Sequence, residues 1–508
     1  MSAAAPRSPR HSGLAAALTA AVLTACAVGP NYHRPAAPTP ERFKETNGWK
    51  PAEPREAASG TSWWSVYGDA TLDELEKQID VSNQTLKASE AAWRQAVAVA
   101  SQARAALFPT IGVSATAQRA HEGAGGFTGT TTTTGSTSVT TGTTSSSRNV
   151  NQFELLGTAS WDLDIWGKIR RTIESDVANA QATEAQLAAA RLSAQATLAT
   201  DYVELRVADE QHSLLEQTVS AYQRSLAITE NQYKVGVVAK TDVITAQTQL
   251  QGAQSQLISV GVTRATLEHA IAVLIGKPPA EFSLPPATLG ATVPVVPAGV
   301  PSALLERRPD VAQTEREMKA MNAQIGVAIA AYFPSLTLSG DYGWASTVLP
   351  GLIKAPNNLW SFGGTAADTL LDFGARAAQV REARAAYDQA VANYRQTVLT
   401  AFQQVEDELA TLRILEQQFA VQDEATKSAN LAAQLALNQY KAGTVAYTAV
   451  VTQQAIALTD AQTLLSIRQN RLVASVALIQ ALGGGWDAGT LGKPNGAGAT
   501  LAAESAPH

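Results

Sequence analysis

Few side chains in this chain have types and spacing suited to chemistry. Six histidines (His11, His33, His121, His212, His269 and His508) are scattered without metal-ligand spacing. Asp162-Leu163-Asp164, ahead of Gly167, resembles a fragment of a calcium loop, but the remaining ligands and the bidentate glutamate are missing. Gly483-Gly484-Gly485 ends a helical pattern, and no strand precedes it to make a phosphate-binding loop. No catalytic residue, metal site or cofactor is therefore expected, and the chain does not read as an enzyme. The exception is Cys26, the single cysteine, which rules out an internal disulfide. It closes Leu23-Thr24-Ala25-Cys26, which resembles the bacterial lipobox, whose cysteine becomes the first residue and carries lipid. Arg7, Arg10 and His11 before the apolar run Leu14–Val22 supply an export signal. Ala27 follows the cysteine. An Asp there would resemble an inner-membrane retention signal, so outer-membrane sorting is expected.

The rest of the chain must position something other than a catalytic centre. Its 508 residues are 45% apolar and 16% charged with a net charge of −6, so there is no broad basic surface for nucleic acid. A repeat is visible. Asn231–Val243 returns as Asn438–Val450 with nine of 13 residues identical at an offset of 207. Ala105-Ala106-Leu107-Phe108-Pro109 returns as Ala330-Ala331-Tyr332-Phe333-Pro334 at an offset of 225. A Thr/Ser/Gly tract, Gly123–Ser147, accounts for the difference. Each copy holds 68 residues free of Gly and Pro, Lys168–Val235 and Ala375–Ala442, which permits one helix of roughly 100 Å. Heptads run along both: Leu198, Leu205, His212, Val219, Leu226 and Tyr233, then Val391, Val398, Val405, Leu412 and Phe419. His212 reads as a seam-edge residue. Shorter helices are expected over about Leu72–Leu107, Thr241–Ile275, Ser302–Ala331 and Tyr447–Leu482.

After each Phe-Pro the period falls to two. Ile111, Val113, Ala115 and Ala117 alternate with polar residues, as do Phe153, Leu155, Ala159 and Trp161, then Leu336, Leu338, Tyr342 and Trp344. A fourth strand starts near Leu359-Trp360-Ser361-Phe362, with Asp368 falling on its apolar face. Aromatics near the ends of ten-residue strands are the signature of outer-membrane barrels. Past residue 25 no stretch of 18 strongly apolar residues is evident, so no transmembrane helix is expected. Four strands cannot close a barrel, so spanning strands must be shared by several chains. Two soluble hairpins are the competing reading.

Taken together, Cys26-Ala27-Val28-Gly29-Pro30-Asn31-Tyr32, Trp63-Trp64, both Phe-Pro pairs, Leu304-Leu305-Glu306-Arg307-Arg308-Pro309-Asp310-Val311 and the paired motifs resemble the TolC-like outer-membrane efflux family. The likeness is to its lipoprotein branch serving resistance-nodulation-division (RND) pumps, over nearly the whole mature chain. It implies a mixed α and β membrane protein: a homotrimer with four strands per chain in one transmembrane β-barrel, above a long periplasmic α-helical coiled-coil barrel. It implies a passive exit duct for small molecules in the outer membrane, partnered by a periplasmic adaptor (membrane fusion) protein, an inner-membrane RND transporter and outer-membrane lipid. The adaptor would dock on Val235-Gly236-Val237 and Ala442-Gly443-Thr444. A periplasmic gate would use Asp242 and Tyr440, while Val445 and Thr452 stand at other gate positions of the family. Asp242 then looks to Tyr440 for a hydrogen bond. A structural coiled-coil lipoprotein without a channel is the alternative, against which the repeated strands argue.

The chain divides into a signal peptide (1–25), a lipidated extended arm (26–70), a first repeat (71–277, outer loop 119–151), a Pro-rich equatorial linker (278–301), a second repeat (302–485) and a flexible tail (486–508). Replacing the acylated thiol tests the first boundary. Cys26→Ser should abolish metabolic labelling with palmitate, and labelling at the wild-type level would overturn the lipobox reading.

Overall fold

A computed structural model describes residues 27–37, 39–40, 42–45, 62–122, 148–290, 293–294 and 304–492. The signal peptide, Cys26, the Gly123–Ser147 tract, much of the end of the Pro-rich linker and the tail beyond residue 492 lie outside the described residues. A 3-10 turn, Trp63–Tyr67, leads into α1 (Ala70–Ser82) and α2 (Gln84–Ala105). Strands β1 (Thr110–Glu122) and β2 (Arg148–Asp162) follow, then α3 (Lys168–Lys234) and α4 (Lys240–Leu274). The second half runs α5 (Leu304–Arg307), α6 (Pro309–Ala330), β3 (Ser335–Ser346), β4 (Asn358–Ala367), α7 (Ala375–Lys441) and α8 (Tyr447–Ala481). Helices α3 and α7 have 67 residues each, α4 and α8 have 35 each.

Two of the expected helices are broken, and tertiary contacts explain both breaks. Asn83 separates α1 from α2: its Oδ1 accepts the amide of Leu86 and its Nδ2 donates to the carbonyl of Leu274 at 2.8 Å. It thus caps a helix start and a helix end at once. Arg308 separates α5 from α6, because the residue before Pro309 is disfavoured in helical geometry. Its guanidinium donates to the Ala481 carbonyl at 3.1 Å and to Asp310. Leu274 and Ala481 are 207 residues apart, Asn83 and Arg308 225 apart. A left-handed glycine ends each partner helix, Gly276 at φ 69° and Gly483 at φ 94°. The backbones of Ser82 and Arg307 occupy the places where their Cβ atoms would be.

The chain forms two compact units, one of residues to 33, 97–177 and 319–388, the other of 34–96, 178–318 and 389–508. The second is helical. Along the heptads Leu198, Leu205, Val219, Val398, Val405 and Leu412 are buried, and Phe419 lies 5.0 Å beneath the Arg471 guanidinium. Tyr233, the last of its series, is exposed, and the His212 Nδ1 lies 3.7 Å from Glu216. Acids of α3 hold the start of the Pro-rich linker: Asp209 accepts from the Ala287 amide and Glu210 from that of Leu289. Helix α4 differs from expectation. Its mean hydropathy reaches 1.4 over 18 residues, enough by length and composition to cross a membrane. Thr and Gln interleave its aliphatic residues, so no apolar run shows in the sequence. Ile258 and Val262 stand exposed on it in the single chain.

The first unit holds one antiparallel sheet in the order β1-β2-β3-β4. Facing pairs in an antiparallel sheet share a side. Ile111, Ala159, Gly340 and Phe362 therefore form one row, and Val113, Gly157, Tyr342 and Trp360 the next, all on one face. Ile111, Val113, Trp360 and Phe362 are each more than 70% exposed. The opposite face carries Thr158, Asp341 and Ser361, with Ser361 donating to Asp341, and Asp162 accepting from Thr337 at 2.7 Å. Asp368, expected on the apolar face, lies beyond the end of β4 and pairs with Arg376 at 3.1 Å. The arm is docked here too: Arg171, buried, donates to the carbonyls of Val28 and Gly29, to Asn31 and to Glu174.

One buried group of the helical unit is unbalanced. Glu76 of α1 is 0% exposed, and neither carboxyl oxygen finds a hydrogen-bond partner among the described residues. Burial, reinforced by Asp80 and Asp73, pushes its carboxyl up to about 9. The fold favours the neutral acid, so stability is full below the free carboxyl range and declines as pH rises towards 9. Glu76→Leu should flatten this slope, raising stability at pH 8 by on the order of 3 kcal/mol relative to pH 5. Thermal melts in detergent across that range check it, and parallel curves for both proteins would contradict it.

Candidate functional site

The two motifs singled out in the sequence sit where α3 and α7 reverse into α4 and α8. Both reversals use one device. The Gly236 amide donates to the Tyr233 carbonyl and the Val237 amide to that of Gln232; Gly443 and Thr444 repeat this with Tyr440 and Gln439. This double bond satisfies the last carbonyls of a helix when the residue after it is left-handed, as Gly236 (φ 76°) and Gly443 (φ 70°) are. Nothing lies within 4 Å of where either Cβ would be, so neither glycine is needed for packing inside the chain. Val235 and Val237 are exposed, and Ala442 and Thr444 are exposed as well. The reversals therefore present small or aliphatic side chains and open backbone.

Behind them lies one apolar cluster. Ala246, Ala436, Tyr440, Tyr447 and Val450 are buried together, and Leu226, Ile228, Val238, Leu437, Val445 and Val451 pack against them. Val238 from the first reversal and Val445 from the second thus meet the same core. The rings of Tyr440 and Tyr447 are 5.1 Å apart. Burial raises both hydroxyl groups, that of Tyr447 up to about 12, and the neighbouring Asp242 charge adds to each. Both phenols stay neutral at physiological pH.

The hydrogen bond expected between Asp242 and Tyr440 is not formed within the chain. The Tyr440 hydroxyl donates instead to Thr229 Oγ1 at 3.4 Å, and the half-buried Asp242 carboxylate has no hydrogen-bond or ion-pair partner among the described residues. The competing acceptor is on α3. Val445 also acquires a positive role, as a member of the apolar core. Thr452 is exposed and bonds back to the Thr448 carbonyl at 3.0 Å. Two participants escaped the sequence reading, Thr229 and Tyr447. Tyr447 aligns with Lys240 in the repeated motif and was legible there as an aromatic replacing a cation.

Packing should therefore hold these tips more than the long 3.4 Å bond does. Removing two buried methyl groups in Val450→Ala costs about 1.5 kcal/mol per chain, a polar bond of poor length less. Amide exchange in residues 436–451 should rise several-fold in Val450→Ala and stay near wild type in Tyr440→Phe. The reverse ranking would show that the hydroxyl carries the tip.

Comparison with known proteins agrees with this architecture. The family described as "Outer membrane efflux protein" matches residues 75–277 and 300–484. The probable efflux pump outer membrane protein TtgC of Pseudomonas putida is 27% identical over 479 residues, covering 93% of this chain and 95% of its own length. The cation efflux system protein CusC of Escherichia coli is 29% identical over 471 residues, covering 92% and 97%. The solved structure of the outer-membrane channel OprN aligns at a TM-score of 0.81 and 28% identity, over 91% of this chain and all of that one. With both halves matched in order and the sheet and long helices reproduced, the chain belongs to the outer membrane efflux protein family.

Proposed function

We propose that three copies of this chain assemble the outer-membrane exit duct of a tripartite RND-type efflux system. The observation that carries this is the sheet of the first unit. It has an exposed aromatic and aliphatic face, a polar opposite face, and unpaired edges on β1 and β4. In lipid every backbone polar group must be satisfied, so such a sheet is stable there only if the edges meet those of other copies. Twelve strands in three copies meet that need. The bare aliphatic residues of α4, such as Ile258 and Val262, are suited to helix–helix contacts with neighbouring copies in the periplasm.

In this reading the two halves are structural repeats, Cys26 carries the lipid anchor, and the duct is passive, with no catalytic step or cofactor. Transport energy comes from an inner-membrane RND transporter through a periplasmic adaptor. The adaptor docks on Val235-Gly236-Val237 and Ala442-Gly443-Thr444, whose exposed aliphatic side chains and open glycine backbone admit a helical hairpin at close range. The gate is the apolar cluster behind them. Asp242 meets no hydrogen-bond or ion-pair partner among the described residues and remains available to a neighbouring copy, while Tyr440 contributes mainly its ring.

Reconstituted protein should conduct in planar bilayers from a mostly closed resting state. Val450→Ala should raise resting conductance several-fold, and Val445→Arg, which forces a cation into the apolar core, should raise it too. Gly236→Trp with Gly443→Trp should leave conductance unchanged but abolish efflux in cells that depend on the duct. Protein that inserts yet never conducts would contradict the duct in favour of a structural lipoprotein.

A further inference from the structure

The Pro-rich linker joins the two repeats, and its first residues are fastened to three helices at once. From α3, Arg206 donates to the Pro285 carbonyl at 2.8 Å, Asp209 accepts the Ala287 amide and Glu210 accepts the Leu289 amide at 3.0 Å. From α4, Arg264 donates to the Leu284 carbonyl and Glu268 accepts the Leu284 amide. From α8, Arg468 donates to the Leu289 carbonyl at 2.6 Å. The same guanidinium bonds both oxygens of Glu210, at 3.2 and 2.9 Å. Leu289, itself buried, thus holds both members of one ion pair, the acid through its amide and the base through its carbonyl.

That ion pair is singular. Helices α3 and α4 belong to the first repeat, α7 and α8 to the second, and among the described residues no other ion pair joins the two sets. Nearer the tips the polar links between the sets are neutral and long. The Tyr222 hydroxyl donates to the Gln454 carbonyl at 3.4 Å, and the Gln454 side chain meets Ser225 and Gln249 at 3.3 Å. Gln462 donates to Gln256 at 3.4 Å, as Tyr440 does to Thr229. Nor does the repeat supply a second such joint. At the offset of 207, Arg206, Asp209 and Arg264 return as Arg413, Glu416 and Arg471. Glu210, however, returns as Gln417, and Arg468 corresponds to Gly261. Arg413 is engaged elsewhere, with Glu45 of the arm at 2.7 Å.

We propose that Leu284–Leu289 is a strap that rivets α8 to α3 through Arg468 and Glu210 and so sets the point from which the tips part; this rests on the gated-duct reading above. Arg468 lies 21 residues from Tyr447 along α8, and Glu210 lies 25 from Val235 along α3. At 1.5 Å per residue, lengths of about 30 to 40 Å run from the rivet to the reversals. Across them the two repeats are held by apolar packing and by the long bonds above. While the rivet holds, the tips separate only by bending these lengths, which favours the closed arrangement. Without it α8 moves from α3 along its whole length, and the cluster around Val450 opens from a distance. Glu210 and Arg468 are therefore positioning residues for the gate, which neither of them lines.

Conductance in planar bilayers and amide exchange in nanodiscs, both on the full-length protein, test the strap. Glu210→Gln is nearly isosteric and keeps an acceptor for the Leu289 amide, so it removes the charge with little risk to folding. Glu210→Gln and Arg468→Gln should each raise resting conductance several-fold, and exchange in residues 436–451 should rise several-fold with it. Glu210→Arg combined with Arg468→Glu re-forms the pair in reverse and still offers a partner to each polar group of Leu289. It should return both readings towards wild type. Single variants that loosen residues 284–289 alone, with tip exchange and conductance at the wild-type level, would overturn the strap. So would a charge exchange that restores protection of the linker and leaves the tips loose. Wild-type protein and Val450→Ala that both insert and never conduct would count against the duct itself, and tip exchange then decides the strap alone.

Discussion

Backbone hydrogen bonding sets the terms for this protein. A four-stranded sheet leaves two edges of unpaired N–H and C=O groups, tolerable in water but costing several kcal/mol per group in hydrocarbon. This chain combines such edges with a face of Ile111, Val113, Trp360 and Phe362 that is as unsuited to water as the edges are to lipid. Closing the sheet with further copies resolves both conflicts. Helices α3 and α7, of 67 residues each, follow β2 and β4 in the chain.

The junctions where strand becomes helix carry much of the local chemistry. Asp164 accepts the amides of Ile169 and Arg170 and the Arg170 side chain, and Asp372 does the same for Gly374 and Arg376. Arg376 holds the Asp372 carboxyl down at about 2, so the cap stays charged under all ordinary conditions. Arg376 also spans Asp368, the Thr369 carbonyl and the Tyr332 ring, fixing the end of β4 to the start of α7. On the other side, Arg171 ties the arm to the first turn of α3 through three acceptors within residues 28–31. The chain shortly after Cys26 is thereby tied to the start of α3.

Much of this was legible in the sequence because the signals are local. Absence of Gly and Pro fixed α3 and α7 to within a residue at their ends, and period-two alternation found all four strands. The misses in the helices and at Asp368 share a cause: the deciding partner belongs to another element. Asn83 breaks a helix because Leu274 offers a carbonyl, and Arg308 because Ala481 does in addition to the local effect of Pro309. Asp368 looked misplaced because Arg376 belongs to the next element. At the tips, the bond expected between Asp242 and Tyr440 is replaced by one from Tyr440 to Thr229. The sequence places Val445 where the family resemblance implies an arginine and offers apolar packing around Val450 and Val451 as the alternative, and the structure joins all three in one cluster.

The central claim is that the outer edges of β1 and β4 are paired in the membrane. Amide hydrogen exchange of the protein in lipid nanodiscs reads those edges directly. The account predicts that the amides along Ile111–Arg119 and Leu359–Ala367 are protected as strongly as those of β2 and β3, whose partners lie within the chain. Exchange of either outer strand at the rate of an open edge, with β2 and β3 protected, would contradict it.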